Sequence, residues 1–347
     1  MKLTFRWYGE KDPVTLDQIR QIPTMTGIVS AVYDTPVGEV WSRESIAFLK
    51  GQAEKKGLSF EVVESVPVHE EIKLGSPAAP RLIANYCETL KRLGEAGVKV
   101  VCYNFMPVFD WLRSELDRPL PDGSSALAYQ EQSVLAMDPA RSELSLPGWD
   151  ESYTQNELRG LLERYGDVDE ERLWENFGAF LEKVIPAAEE SGIRMAIHPD
   201  DPPWGVFGLP RIMTGEQSYR RMLEINNSDA NGIAFCTGSL GADPKNDLVK
   251  IATEFCGHIP FVHLRNIKIT GYHCFEEAPH PSACGSLDMY AIVRALAAGG
   301  FDGYVRPDHG RMIWGERGRP GYGLYDRALG AAYITGLWEA AKKELCL

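Results

Sequence analysis

The 347-residue chain is 44% hydrophobic and 24% charged, ordinary for a folded globular protein and long enough for one elaborated α/β barrel, so extensive disorder is excluded. Its 49 acidic and 36 basic residues leave a formal charge of −13 with no basic stripe, which disfavours nucleic acid as a partner. No run of about 18 apolar residues is present and the N-terminus lacks the apolar core of a leader, so neither a membrane partner nor export is expected and a cytoplasmic location is the default. Seven scattered cysteines without a CxxC pair read as reduced thiols.

In chain order, the first short Val/Ile/Phe/Tyr-rich runs cover residues 3–8 and 27–33, joined by a single helical turn over 16–22. Ser42 is placed to cap a helix over 43–56, whose Ile46, Ala47, Leu49 and Ala53 keep helical spacing until Gly57 stops it. A strand at 60–66, a helix at 79–96 and a strand at 98–105 follow. Residues 106–170 are too long for a barrel connection and carry Pro119, Pro121, Pro139 and Pro147-Gly148 among helix-like stretches at 125–136 and 156–165. They read as an inserted cap or as a contact in a homo-oligomer such as a dimer. Beyond them come a helix at 173–190, strands at 194–198, 232–236, 260–265 and 304–308, and helices at 217–225, 244–256, 287–298 and 324–343. The Gly-, Pro- and His-rich stretch 267–285 is expected as a loop over the strand ends. Eight strands alternating with helices predict an α/β protein, a TIM (β/α)8 barrel with a long insertion after strand 4 and a loop insertion after strand 7. A single catalytic domain over residues 1–347, with 106–170 inserted, is the expected organisation.

Four residues with metal-ligand chemistry end the last four strands: His198, Cys236, His263 and Asp308. Strand C-termini converge on one face of such a barrel, so side chains recurring once per β/α unit can meet there. Singly, a strand-end His is more often a hydrogen-bonding residue and a Cys after Ile-Ala-Phe a small buried hydrophobe. Together, imidazole, thiolate and carboxylate suit a divalent transition metal such as manganese, iron, cobalt or zinc. His309, next to Asp308, is an acid/base candidate or else part of a turn. Pro320-Gly-Tyr-Gly-Leu-Tyr-Asp offers Tyr322 on a glycine-flanked turn and Tyr325 at the start of the last helix; the Gly-x-Gly lacks the strand and third glycine of a dinucleotide site. Arg265 and Arg306 share strand parity with His263 and Asp308 and are candidates for a substrate carboxylate or for structural ion pairs. Arg6, Tyr8, Asn104 and Asn266 are further strand-end candidates. His273, Cys274, His280 and Cys284 do not match a zinc module and are read as part of a lid.

Phe5-Arg-Trp-Tyr-Gly-Glu10, Ala196-Ile-His-Pro-Asp-Asp-Pro-Pro203, Phe235-Cys-Thr-Gly-Ser239, Val262-His-Leu-Arg-Asn266, Arg306-Pro-Asp-His-Gly-Arg311 and Pro320-Gly-Tyr-Gly-Leu-Tyr-Asp-Arg327 together resemble the mannonate dehydratase family of xylose-isomerase-like TIM barrels. That resemblance implies dehydration of D-mannonate to 2-keto-3-deoxy-D-gluconate in hexuronate breakdown, with a divalent metal, commonly Mn2+ or Fe2+. It implies metal ligation by His198, Cys236, His263 and Asp308, and acid/base work by His309 and a tyrosine, of which Tyr322 is favoured over Tyr325. Tyr8, Arg265, Asn266 and Arg306 are the expected substrate contacts. Competing readings are a metal-dependent sugar isomerase, usually built on several carboxylates, a metal-dependent phosphodiesterase or abasic-site nuclease, and a non-catalytic sugar-acid sensor.

Overall fold

The computed structural model describes residues 1–139 and 154–347. Its strands, in chain order, are β1 (Lys2–Arg6), β2 (Met25–Ser30), β3 (Ser59–Glu64), β4 (Val100–Tyr103), β5 (Glu115–Pro119), β6 (Ser125–Gln130), β7 (Arg194–Ile197), β8 (Asn231–Cys236), β9 (Phe261–Leu264), β10 (Asn266–Gly271), β11 (Cys274–Ala278) and β12 (Tyr304–Pro307). Eight of them close a barrel in the order β1-β12-β9-β8-β7-β4-β3-β2, with parallel pairing throughout. Each coincides with one of the eight runs expected from sequence, because a strand buried on both faces is written as a short continuous apolar run.

Helices α1 (Leu16–Ile19), α2 (Arg43–Glu54), α3 (Glu70–Lys73) and α4 (Ala79–Glu95) occupy the first half. Then come α5 (Glu131–Leu135), α6 (Gln155–Tyr165), α7 (Glu170–Glu190), α8 (Glu216–Ile225), α9 (Thr237–Leu240), α10 (Leu248–Glu254), α11 (Met289–Ala298) and α12 (Tyr325–Glu344). Ser42 does cap α2, accepting from the Ser45 amide, and Asp247 caps α10 on the Lys250 amide, which starts that helix well after Pro244. Barrel interior and helix layer form separate packing zones: Val29, Val62, Val100, Ala196, Ala234 and Phe261 fill the centre, while the larger cluster lies between strands and helices. Among the described residues no helix is long and apolar enough to cross a membrane.

Two expectations fail in the same place. Residues 125–136 form strand β6 and the short α5 rather than one helix, and 267–285 contain the β10–β11 hairpin rather than a loop. These strands join in an antiparallel sheet ordered β10-β11-β6-β5, which lies against the barrel mouth. Tertiary pairing explains the difference: β6 has a partner on each edge and buries Ala126, Leu127, Ala128 and Tyr129, which outweighs the helical propensity of its Ala and Leu. Residues 140–153 of the expected insertion, with the Pro147-Gly148 turn, lie outside the described residues.

Candidate active site

A cavity of about 370 Å³ opens at the C-terminal ends of the barrel strands, with His198, Arg306, Asp308, His309 and Tyr322 in its lining. The nitrogen and sulfur donors of His198, Cys236 and His263 lie within 4.8 Å of one another. His198 Nδ1 sits 2.7 Å from the Pro199 carbonyl, an acceptor, so Nδ1 carries the ring proton and Nε2 presents a lone pair. That lone pair faces His263 Nδ1 at 3.2 Å. Arg306 Nη2, which only donates, approaches the same His263 Nδ1 at 3.4 Å. Two imidazoles thus turn ring nitrogens toward each other at 3.2 Å, and Cys236 sulfur stands alongside. A cation resolves this arrangement, and the mixed nitrogen and sulfur donors fit a divalent transition metal.

Asp308 flanks the cluster, its Oδ2 3.5 Å from Cys236 Sγ and its Oδ1 2.7 Å from Arg306 Nη1. Burial opposes its charge, but Arg306, His309 and Arg265 outweigh burial and hold the carboxyl well below its usual range. Glu64 behaves alike: burial raises it, while Arg306, His263 and Arg6 bring it well below the ordinary value. Both are carboxylates at neutral pH. Glu64 also groups with Cys102 and His263 in ligand-like proximity, yet both its oxygens are occupied by Arg306 at 2.9 and 3.0 Å.

His309 lies beside the cluster with its two nitrogens differently engaged. Nδ1 is 2.6 Å from Glu277 Oε1 and 2.7 Å from Arg265 Nη1. Glu277 Oε1 is the nearer of the two and accepts the Nδ1 proton, while the Arg265 N–H groups are directed to Glu277 and Asp201, so Nε2 is left to accept from the Tyr322 hydroxyl at 2.8 Å. Burial, reinforced by Tyr8, pushes the Tyr322 phenol well above its usual value, so it keeps its proton. Gly321 adopts φ +79° just before it, and a Cβ there would stand 2.6 Å from Leu127, so a glycine is needed to turn the hydroxyl inward. Tyr325 instead starts α12, 41% exposed and against Trp314.

The expected substrate contacts divide. Tyr8 and Arg306 line the cavity, whereas Arg265 and Asn266 are fully buried outside its lining. Arg265 is held by Asp201, Glu277 and the flank of Asp308, in space left by Gly238, where a Cβ would meet its Nε at 1.9 Å. It acts as a structural cation, the alternative left open by parity. Asn266 ties the loop together, donating to the Pro281 carbonyl at 3.0 Å and accepting from the Leu287 amide at 3.2 Å. His273 pairs with Glu131 and stacks on Trp204, while His280 bonds the Leu264 carbonyl, so these two do not converge on a second metal group.

Besides Glu64, three participants were not anticipated from sequence. Glu277 reaches His309 from β11, Arg113 reaches Glu277 and Asp201 from the insertion, and Trp111 lies 5.1 Å from the His309 ring. The run Cys274-Phe-Glu-Glu-Ala278 shows no apolar/polar alternation, so β11 left no local signal and is defined by its pairing with β10 and β6.

The closed parallel barrel, with its donor side chains gathered at the strand C-termini, defines a TIM (β/α)8 barrel. The fold is shared with a xylose isomerase-like TIM barrel protein from Mycobacterium smegmatis solved in complex with magnesium, at TM-score 0.58 and 15% identity over 94% of this chain and 87% of that one. The family model described as D-mannonate dehydratase (UxuA) matches residues 1–346, and the chain belongs to that family. It is 56% identical to the mannonate dehydratase of Streptococcus uberis over 345 residues, 99% of each chain. The crystal structure of mannonate dehydratase from Streptococcus suis serotype 2 superimposes at TM-score 0.93 with 48% identity, covering 99% of this chain and 96% of that one.

Proposed function

We propose that the protein removes water from D-mannonate to give 2-keto-3-deoxy-D-gluconate, as a cytoplasmic step of hexuronate breakdown. The observation that carries this reading is the His309–Tyr322 pair, 2.8 Å apart and buried beside the His198, Cys236, His263 donor cluster. Those three residues and Asp308 are the proposed metal ligands, with Mn2+ or Fe2+ as the expected ion. A bound divalent cation supplies positive charge where the substrate becomes more negative on losing a proton.

The C2–H of an aldonate is weakly acidic because it adjoins a carboxylate, and the C3 hydroxyl leaves only if protonated. Between them, His309 Nε2 and Tyr322 Oη take the proton from C2 and deliver one to the departing hydroxyl; the electron pair of the C2–H bond forms the C2=C3 double bond as C3–O breaks. The resulting enol gains a proton at C3 and becomes the 2-keto acid. Glu277 keeps the imidazole in the tautomer that leaves Nε2 free for this exchange. The arrangement suits elimination, since two proton-transfer groups stand together.

The test is incubation of metal-reconstituted protein with a panel of aldonic acids. A 2-keto-3-deoxy product from D-mannonate is expected; interconversion of aldoses and ketoses with mannonate untouched would replace this reading with an isomerase.

A further inference from the structure

The cavity contains three guanidinium groups with unequal commitments. Arg306 is engaged by both oxygens of Glu64 and by Asp308 at 2.7 Å. Arg6 and Arg319 have, among the described residues, no carboxylate within ion-pair distance; what they face is aromatic. The Arg6 guanidinium lies 4.7 Å from the Tyr8 ring and 5.9 Å from that of Tyr33, and Arg319 lies 4.3 Å from Tyr8. Arg6 is only 7% exposed, and its Nη1 is shut away from solvent with no hydrogen-bond partner.

An aromatic face steadies a guanidinium without using its N–H donors, which stay available in the ring plane. A buried guanidinium without a carboxylate partner is costly, and an anion that enters the cavity it lines and brings oxygens to its accessible N–H groups removes the penalty. We propose that Arg6, assisted by Arg319 across the same Tyr8 ring at the cavity rim, is the subsite for the carboxylate of the substrate. The inference rests on the dehydratase reading and names which cations recognise the acid. Its position agrees with the chemistry. Tyr8 meets Tyr322 edge-on at 5.0 Å, and the carbon that loses its proton is bonded to the carboxylate carbon, so the anion site and the acid/base pair must be neighbours. Arg265, buried among carboxylates, and Arg306, bound to Glu64, have their charge already neutralised. The subsite selects sugar acids over neutral sugars and polyols of the same length.

Calorimetric titration tests this with D-mannonate and neutral D-mannitol on metal-loaded protein in a His309→Asn background, where turnover is slow. Adding Arg6→Met should weaken D-mannonate binding by about 100-fold while leaving D-mannitol within about twofold, and Arg6→Lys should recover part of the loss. Arg319→Met, at the solvent-screened rim, should cost about three- to tenfold. D-mannonate affinity within twofold of the parent in Arg6→Met, or equal losses for acid and polyol, would overturn the subsite. If Arg6→Met does not fold, unchanged D-mannonate affinity in both Arg6→Lys and Arg319→Met overturns it instead. Turnover of D-mannonate by the unmutated protein is measured in parallel: its absence removes the dehydratase reading and this inference together, whereas turnover with unaltered binding removes the subsite alone.

Discussion

The barrel mouth and the sheet that covers it are built from differently distributed sequence. In the barrel, β7, β8, β9 and β12 are successive neighbours around the wall, each bringing one proposed metal ligand to or near its C-terminal end. In the cover, β11 pairs with β6 from the distant insertion, setting Phe275 opposite Tyr129 and Glu276 opposite Ala128. Yet the two meet at one side chain: His309, carried by the barrel, is held through Nδ1 by Glu277, carried by the cover. On the proposed mechanism the barrel supplies the groups that react, and the cover sets how one of them is turned.

The comparison is broken most severely by removing the barrel's own proton carrier. His309→Asn keeps a polar side chain but loses the titrating ring, so kcat should fall by about 10²–10⁴-fold with metal retained. Near-normal turnover by steady-state assay would reduce His309 to a structural residue, and lost metal would make it a ligand or a ligand's support. Next in size, Cys236→Ser exchanges a thiolate for a neutral hydroxyl and should weaken metal binding by at least about tenfold, read by elemental analysis after dialysis. Unchanged metal content would take Cys236 out of the cluster. The smallest effect sharpens the choice of tyrosine. Tyr325→Phe, on the exposed start of α12, should leave kcat within about twofold, while Tyr322→Phe removes the hydroxyl that donates to His309 and should lower it by about 10² or more. A reversal of that order would move the proton donor to the helix.

The same division governs what could be read from the chain. Every barrel strand was visible because its signal is local, and the gathering of His198, Cys236, His263 and Asp308 was legible because fold geometry brings strand ends together whatever the loops do, whereas the preference for His309 came from the family resemblance. Tyr322 could be preferred to Tyr325 from its flanking glycines alone. Strand parity placed Arg265 on the side of His263 but said nothing about Asp201 and Glu277, which surround it in the fold. The cover was misread because β6 and β11 are strands through their tertiary partners, each other and the flanking β5 and β10, and with them went Glu277 and Arg113. Arg6 was visible as a strand-end residue, but that its Nη1 finds no hydrogen-bond partner among the described residues depends on every neighbour at once.

Whether the cover acts through His309 is tested most directly by a double-mutant cycle on kcat with metal content held constant. Glu277→Gln alone should lower kcat by about 10–100-fold with little change in KM, since the amide no longer fixes the charge and tautomer of the ring. Once His309 is Asn, adding Glu277→Gln should cost almost nothing further, because the group it orients is gone. Losses that multiply in the double variant would contradict the account and assign Glu277 a role independent of His309.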